Sequence, residues 1–100
     1  MTEGMVWVVD DDRSIRFVLR KALERAGIPS RAFERAEDVL EALREERPDV
    51  LVSDIRMPGM DGTSLLEEVK RRQPTLPVII MRAYSVYAAT VTAGTTLEEI

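Results

Sequence analysis

The sequence predicts a single α/β domain built on a parallel sheet, and two observations indicate this. Through residue 81, short apolar runs alternate with longer segments whose apolar residues recur at helical spacing. Two of the apolar runs also stop abruptly at carboxylates, the first before Asp10 and the third at Asp54. Alternating strands and helices are typical of a parallel sheet with right-handed crossovers, where ligands collect at the carboxyl ends of the strands.

Composition limits the possible functions. The chain has 100 residues, 45% hydrophobic and 32% charged, which is typical of one globular domain. Its net charge of −4 gives no general reason to expect binding to nucleic acid or membranes. Cysteine and histidine are absent, so disulfides, thiol chemistry and histidine bases are excluded. No apolar run approaches the roughly 20 residues that span a bilayer, and we expect a cytoplasmic protein.

Four runs are predicted as strands: residues 5–9, 28–33, 50–54 and 77–81. The first is continuously apolar, as expected of a strand that is covered on both faces. The second is interrupted by Pro29 and Arg31, which favours a position near the edge of the sheet. The third passes directly into the turn-forming sequence of residues 57–62.

Three segments are predicted as helices: residues 13–26, 36–44 and 64–72. Asp12 can cap the first helix, and Gly27 stands where that helix is expected to stop. The apolar positions of the first helix recur at helical spacing and comprise Ile15, Val18, Leu19, Ala22, Leu23 and Ala26. Basic residues at 70–72 lie near the carboxyl end of the third helix, where they are favourable.

Asp10, Asp11, Asp12 and Asp54 are predicted to share one acidic pocket at the carboxyl edge of the sheet. Carboxylates a few Å apart either raise a pKa or recruit a cation, and an all-oxygen site suits Mg²⁺ or Mn²⁺. With a metal neutralising phosphate charge, an aspartate there could attack phosphorus and form an aspartyl-phosphate. The pattern alone leaves an alternative open, in which the first cluster merely caps a helix and Asp54 merely ends a strand.

Three motifs carry a resemblance to a known family: Val-Val-Asp-Asp-Asp at residues 8–12, Ser-Asp-Ile-Arg-Met-Pro-Gly-Met-Asp-Gly at residues 53–62, and Leu-Pro-Val-Ile-Ile-Met at residues 76–81. In this order and spacing they resemble a receiver domain of two-component signalling, in particular the amino-terminal receiver of NtrC-type nitrogen-regulation activators. The resemblance covers residues 4–81 and implies a flavodoxin-like (CheY-like) fold with parallel strands in the order 2-1-3-4-5. On this view residues 1–81 form the receiver-like core, and residues 82–100 form a divergent carboxyl-terminal arm.

The resemblance also implies roles for individual residues. Asp54 is similar to the phospho-acceptor, and Asp11 is similar to the main carboxylate ligand of Mg²⁺, with Asp10 as its partner through water. Asp12 belongs to the same pocket, and the main-chain carbonyl of Arg56 resembles a third protein ligand. A sensor histidine kinase or a small phosphodonor is the implied partner.

The sequence departs from the family pattern at two places. Directly after the fourth strand, the family has a small hydroxyl residue that contacts the phosphoryl group and carries the switch, whereas this chain has Arg82. The family's fifth strand ends in a Lys-Pro pair whose lysine contacts the phosphate, yet no lysine follows Lys70 here. We therefore expect Mg²⁺-dependent phosphorylation at Asp54 with impaired switching.

Residues 82–93 are rich in Tyr, Val and Thr and have high β propensity, although a degenerate fourth helix is an alternative. They follow the fourth strand too directly to return parallel beside it, since a parallel crossover needs about a dozen residues. The sheet is then incomplete at strand five, and an uncovered edge of strand four would serve as a template for another chain. This predicts an intermolecular strand and a homodimer through the 82–93 arm.

Two functions from different classes follow from these features. The first is a phosphoacceptor receiver module of a two-component phosphorelay. The second is an engineered or chimeric receiver fragment with a structural role and no signalling activity. It is suggested by Thr96 and Glu99, which form a helix-start pattern without the helix that should follow it in this sequence. We expect no enzyme, since no general base or Gly-rich phosphate loop is present, and no DNA binding, since the basic residues are scattered.

Overall fold

The computed structural model describes residues 4–82 and 85–89. The strands form one sheet in the order β2-β1-β3-β4-β5, and they are β1 (Val6–Val9), β2 (Ser30–Phe33), β3 (Val50–Asp54), β4 (Val78–Arg82) and β5 (Ser85–Ala89). The helices are α1 (Arg13–Arg25), α2 (Ala36–Ala42) and α3 (Gly62–Arg72). Pairing among the first four strands is parallel throughout, which confirms the flavodoxin-like arrangement predicted from the sequence. Within the described ranges, no helix is long and apolar enough to cross a membrane.

The two faces of the sheet differ in how well they are covered. Right-handed crossovers place α1 on one face, and α2 and α3 on the other, because the chain reverses its direction across the sheet after β2. Trp7, Leu51 and Val78 point towards α2 and α3 and are fully buried in the main core. On the α1 face, Val8 is fully buried but Ile79 is only half-buried. The hydrophobic core therefore lies mainly between the sheet and the α2–α3 layer.

Helix α1 begins and ends where the sequence predicts. The Asp12 carboxylate accepts hydrogen bonds from the amides of Ser14 and Ile15, at 2.8 and 3.3 Å, and caps the helix. At the other end Gly27 has a φ of +77°, which favours glycine. The amide of Ile28 donates to the carbonyl of Leu23 at 2.9 Å, the long hydrogen bond that closes a helix ended by a left-handed residue.

The apolar stripe of α1 is not buried. The periodic residues of α1 share one helix face as expected, yet α1 contains no buried residue. Val18 is 59% exposed and Ile15 is 40% exposed, while Leu19 and Leu23 are half-buried. An amphipathic period shows which side chains share a face, but burial also requires an element that packs against that face.

The outer edge of β4 pairs within the same chain, which corrects the expectation of an uncovered edge. Strand β5 runs antiparallel to β4, with Arg82 opposite Ser85 and Val78 opposite Ala89. Only residues 83 and 84 separate the two strands in sequence, and a two-residue connection is the commonest route between antiparallel neighbours. From the sequence we considered a parallel return, an arm that reaches a second molecule and a degenerate fourth helix, whereas residues 85–89 form a strand that returns antiparallel. The expected helix start at residues 96–99 and residues 90–93 of the predicted arm lie outside the described residues.

Candidate functional site: an acidic cleft at the carboxyl edge of the sheet

The parallel register brings the predicted acidic residues together. Asp10 directly follows β1, Asp54 is the last residue of β3, and the neighbouring residues Val9 and Ser53 are paired in the ladder. Asp10, Asp11 and Asp54 each offer a carboxylate oxygen, and these oxygens lie within 4.8 Å of one another. The prediction of one acidic pocket is therefore confirmed for these three side chains.

Hydrogen bonds hold the turn that carries Asp10 to Asp12. The Asp10 carboxylate accepts a hydrogen bond from the amide of Asp12 at 2.8 Å. The amide of Asp10 in turn donates to the carbonyl of Phe33 in the adjacent strand, at 3.2 Å. Asp10 is thus held in place through both its carboxylate and its main-chain amide. The Asp12 carboxylate caps α1, so the helix-cap interpretation is correct for Asp12, while the carboxylate oxygens of Asp10 and Asp11 lie close to that of Asp54.

Arg16 also supports this turn, and the sequence analysis missed it. Its Nη1 donates to the main-chain carbonyl of Asp10 at 2.7 Å in a partly buried position. A hydrogen bond from a charged donor is stronger than a neutral one, and here it locks a carbonyl next to the acidic residues. The signal in the sequence was a basic residue one helical turn after the capping Asp12, where its side chain can fold back over the turn.

Asp54 is held by the main chain that follows it. The amide of Ile55 donates to Asp54 Oδ1 at 2.9 Å and to the carbonyl of Met81 at 3.1 Å, so one donor links the acidic side chain to β4. The amide of Arg56 also faces the Asp54 carboxylate. These donors fix the orientation of the Asp54 side chain at the end of β3.

The electrostatics of the pocket disfavour three ionised carboxylates. Burial raises the pKa of Asp10 to about 6, and the negative charges of Asp54, Asp11 and Asp12 add to this effect against the hydrogen bond from the Asp12 amide. Burial also raises the pKa of Asp54, assisted by the charge of Asp11 and opposed by the hydrogen bonds from the amides of Ile55 and Arg56. A divalent cation would favour the ionised forms, because its charge is attractive to each carboxylate.

The acidic residues line a cleft of about 610 Å³ that is open to solvent. One wall is acidic and the other is apolar, the apolar wall being formed by Ile15, Val18, Leu19 and Met81. Oxygen ligands with room for retained water are the environment that Mg²⁺ prefers. The residues present therefore fit a hard divalent cation, and the remaining volume leaves space for a phosphoryl group beside Asp54.

Two further predicted site residues lie near the same edge. Arg56 is exposed in the loop after β3, two positions after Asp54 in the sequence. Arg82 is the last residue of β4 and directly follows Met81, which is paired with Asp54 in the ladder. Metal coordination by the Arg56 carbonyl and a phosphate contact by Arg82 stay predictions.

Comparison with known proteins agrees with this geometry. The sequence matches the profile of the response regulator receiver domain over residues 6–96. The chain belongs to the receiver domain family. The match extends beyond residue 81, where the resemblance recognised in the motifs ends, so part of the arm also falls within the family profile.

Curated relatives of this receiver domain are transcriptional regulators. The DNA-binding transcriptional regulator NtrC of Proteus hauseri is 62% identical over 93 residues, covering 93% of this chain and 20% of the relative. The protein of the same name from Escherichia coli (strain K12) is 59% identical over the same number of residues. The chain thus spans about a fifth of the length of these relatives.

Solved structures show the same receiver fold. The beryllofluoride-activated receiver domain of nitrogen regulatory protein C (NtrC) superposes with a TM-score of 0.71 at 60% identity, over 84% of this chain and 68% of that one. The apo form of the same domain gives a TM-score of 0.75 at 60% identity, over 85% and 68% of the two chains. The likeness therefore extends over most of the described sheet and helices.

Proposed function

We propose that this receiver domain accepts a phosphoryl group on Asp54 in an Mg²⁺-dependent reaction. The observation that carries the proposal is the convergence of the Asp10, Asp11 and Asp54 carboxylates within 4.8 Å at the carboxyl edge of the sheet. A catalytic acid or base of another class would need a second polar constellation in the cleft, whereas the other described residues that line the cleft are apolar. The arrangement favours a phosphoacceptor over an enzyme acting on an external substrate.

The chemistry follows from the positions of these side chains. An Asp54 carboxylate oxygen attacks phosphorus, and the bond from phosphorus to the donor oxygen or nitrogen breaks, its electron pair leaving with the donor. Asp10, Asp11, Asp54 and the Arg56 carbonyl would hold Mg²⁺, which when bound neutralises charge on the phosphoryl oxygens. The amides of Ile55 and Arg56 keep the Asp54 carboxylate oriented while it reacts.

Switching after phosphorylation is proposed to be impaired. Arg82 stands where the family has a small hydroxyl residue, and a long cation cannot reproduce a hydroxyl rotamer switch although it could pair with phosphate. The direction of β5 supports the same conclusion. Because β5 is antiparallel, Ala89 at its carboxyl end pairs with Val78 at the far edge of the sheet from Asp54. The carboxyl end of β5 therefore lies away from the phosphoryl site.

The proposed partner is a sensor histidine kinase or a small phosphodonor, and the proposed location is the cytoplasm. Two relatives are named as DNA-binding transcriptional regulators, but this chain covers only about a fifth of their length. We propose no nucleic-acid or membrane partner for the receiver domain itself, in keeping with its net charge of −4.

A homodimer through the 82–93 arm is a second proposal, linked to an assembly role. Within the described residues β5 is the outermost strand on its side of the sheet. An outer strand can pair antiparallel with the same strand of a second molecule around a two-fold axis. Such a dimer would join two β5 edges rather than exchange arms. Light scattering across a dilution series tests it, and a monomer at every concentration contradicts it.

Mass spectrometry of the intact protein tests the phosphoacceptor proposal. The protein is incubated with acetyl phosphate, with and without Mg²⁺, alongside the Asp54→Asn variant. We expect slow addition of a single phosphoryl group that requires Mg²⁺ and disappears in Asp54→Asn. Since donors aimed at developing phosphoryl charge are missing, the rate should be orders of magnitude below that of a receiver that has them. Modification that persists in Asp54→Asn contradicts the assignment of the acceptor, and rapid stoichiometric modification contradicts the impairment.

A further inference from the structure

A second cleft lies on the opposite side of α1 from the acidic site. It has a volume of about 620 Å³ and lies between α1 and the chain that leads into β2. Its apolar surface includes the Phe17 ring, which is 64% exposed, and Ile28, which is 37% exposed. Large apolar side chains standing exposed together in a concave surface are unusual on a folded domain and typically mark a contact surface.

The rim of this cleft is basic although the chain is acidic overall. Helix α1 carries five Arg or Lys residues and a single acid, Glu24, against a net charge of −4 for the chain. Arg13, Arg20 and Lys21 all line the cleft. Among the described residues, neither Arg13 nor Arg20 forms an ion pair, whereas Lys21 lies 3.7 Å from Glu24. Cations concentrated around an apolar floor are complementary to a partner with carboxylates beside apolar side chains.

The third wall of the cleft is an edge strand. Strand β2 ends the sheet, and in the described residues β1 is its single neighbour. The amide of Val6 donates to the carbonyl of Pro29 at 3.0 Å, and the amide of Asp10 donates to the carbonyl of Phe33 at 3.2 Å. In a parallel ladder with this register, every second residue of β2 bonds to β1, so the main chain of Ser30 and Ala32 points outward. These outward groups are a template for an added strand.

We propose that the cleft between α1 and β2 binds an acidic peptide segment as an added strand on β2. The main chain of the peptide pairs with Ser30 and Ala32. Its alternate side chains project over α1, where an apolar side chain packs against Phe17 and carboxylates lie beside Arg13 and Arg20. This mode combines main-chain hydrogen bonds for affinity with side-chain pockets for specificity. The surface is separate from Asp54, and the inference does not depend on phosphorylation.

Fluorescence anisotropy with a designed probe tests this inference. The probe is a labelled heptapeptide with valine at its third and fifth positions and glutamate elsewhere, so that one face of the extended peptide is apolar at its centre and acidic at its ends. We expect saturable binding to the wild-type protein that weakens as salt concentration rises. A matched peptide with lysine in place of glutamate should not bind, and equal binding of the two peptides overturns the proposal.

Three variants separate the parts of the surface. Arg20→Glu should weaken binding about tenfold or more, since it replaces an attraction by a repulsion at the rim. Phe17→Ser should also weaken binding. Because the Phe17 ring is largely exposed, we expect this variant to fold normally. The matched control is Arg44→Glu on the opposite face of the sheet, which carries the same charge change and should leave the affinity unchanged. Equal loss of affinity in Arg44→Glu and Arg20→Glu overturns a specific role for the cleft.

The strand pairing has its own test. Ala32→Pro removes an outward main-chain donor at a position where an edge strand tolerates proline, and it should reduce binding about tenfold. Should this variant fail to fold, the probe methylated on alternate main-chain nitrogens decides instead, because it loses the pairing but keeps every charge. Undiminished binding of the methylated probe overturns the added-strand geometry.

Nuclear magnetic resonance distinguishes the occupants. Amide shifts at Ser30 and Ala32 on addition of the probe support the proposal, and shifts confined to other strands overturn it. Concentration-dependent shifts at the same amides without the probe would show that a second copy of this chain fills the cleft, which also overturns it. If a DNA oligonucleotide competes as effectively as the unlabelled probe, the cleft is a general polyanion surface, and the proposal is overturned.

Discussion

The α-carbon of Gly62 packs directly against the main chain of Asp54. A β-carbon at position 62 would lie 2.1 Å from the carbonyl oxygen of Asp54. The amide of Gly62 also donates to the carbonyl of Ile55 at 2.9 Å. The first residue of α3 is thereby clamped to the end of β3, and the segment between them is held as a closed loop beside the acidic site.

Gly62→Ala is expected to destabilise the domain by more than about 2 kcal/mol, because the added carbon meets main chain that must shift. The matched control is Gly27→Ala. Gly27 has a φ of +77° but nothing within 4 Å of an added β-carbon, so that change should cost only about 1 kcal/mol of left-handed strain. Urea unfolding of both variants measures the difference. A Gly62→Ala cost no larger than that of Gly27→Ala would contradict the clamp.

The stability of the metal-free protein is expected to fall as pH rises from about 4 to 7. Asp10 has a pKa of about 6 in the folded protein against an ordinary value of 3.8, so the folded state binds more protons in this window. This rise in the pKa of Asp10 lowers the free energy of unfolding at pH 7 by at most about 3 kcal/mol. The raised pKa of Asp54 acts in the same direction. Urea unfolding at a series of pH values provides the measurement.

The matched variant for this pH dependence is Asp10→Asn, which keeps an oxygen that can accept from the Asp12 amide. It should flatten most of the decline and leave the smaller part due to Asp54. Adding millimolar Mg²⁺ should restore stability to the wild-type protein at pH 7 and do little at pH 5, since metal binding requires the ionised carboxylates. Stability that is equal at both pH values without metal would contradict the electrostatic argument.

Arg16→Met is expected to loosen the turn that carries Asp10 and Asp11. The variant loses a charged hydrogen bond of 2.7 Å to the Asp10 carbonyl, and a bond of this kind contributes about 1.5–3 kcal/mol. Mg²⁺ affinity measured by amide shifts of Asp11 and Asp54 should fall severalfold. Arg20→Met on the same helix makes no contact with the turn and serves as the control. An equal effect of the two changes would assign the loss to helix charge rather than to the hydrogen bond.

The one-sided core predicts unequal costs for the same substitution. Val39 in α2 is fully buried, so Val39→Ala should cost about 2 kcal/mol. Val18 in α1 is 59% exposed, and Val18→Ala should lie within about 0.5 kcal/mol of the wild type. Both valines are in helices, so helix propensity affects the two variants alike. A large cost at Val18 would indicate that its side chain is covered in solution.

Local signals in the sequence predicted most of the parallel sheet. Strand β3 occupies the predicted residues, and β1 and β4 differ from prediction by single residues at their ends. Asp12 and Gly27 mark the ends of α1 because capping and left-handed turns depend on the residue itself. The acidic site was predictable for a similar reason. Once the strands are parallel, the carboxylates at the carboxyl ends of β1 and β3 must meet at one edge.

Features that depend on distant partners were not predictable in this way. The period of α1 indicated a common face for Ile15 and Val18, yet whether that face is buried depends on which element packs against it. The β propensity of residues 85–89 indicated a strand but not its direction, which the two-residue connection determines. The spacing of Arg16 from Asp12 places its side chain over the turn, but its contact with the Asp10 carbonyl depends on how the helix starts relative to the turn.

The reversal at the end of β4 also changes the order in which the sheet can assemble. In the β4–β5 ladder, Arg82 pairs with Ser85 close by in the sequence, whereas Val6 of β1 must find Val50 of β3 across the intervening helices. Hairpins form in about 1–10 μs, while pairing between distant segments first requires a large loop to close. We therefore expect β4 and β5 to pair early in folding and to present a two-stranded ribbon on which β3 and then β1 add.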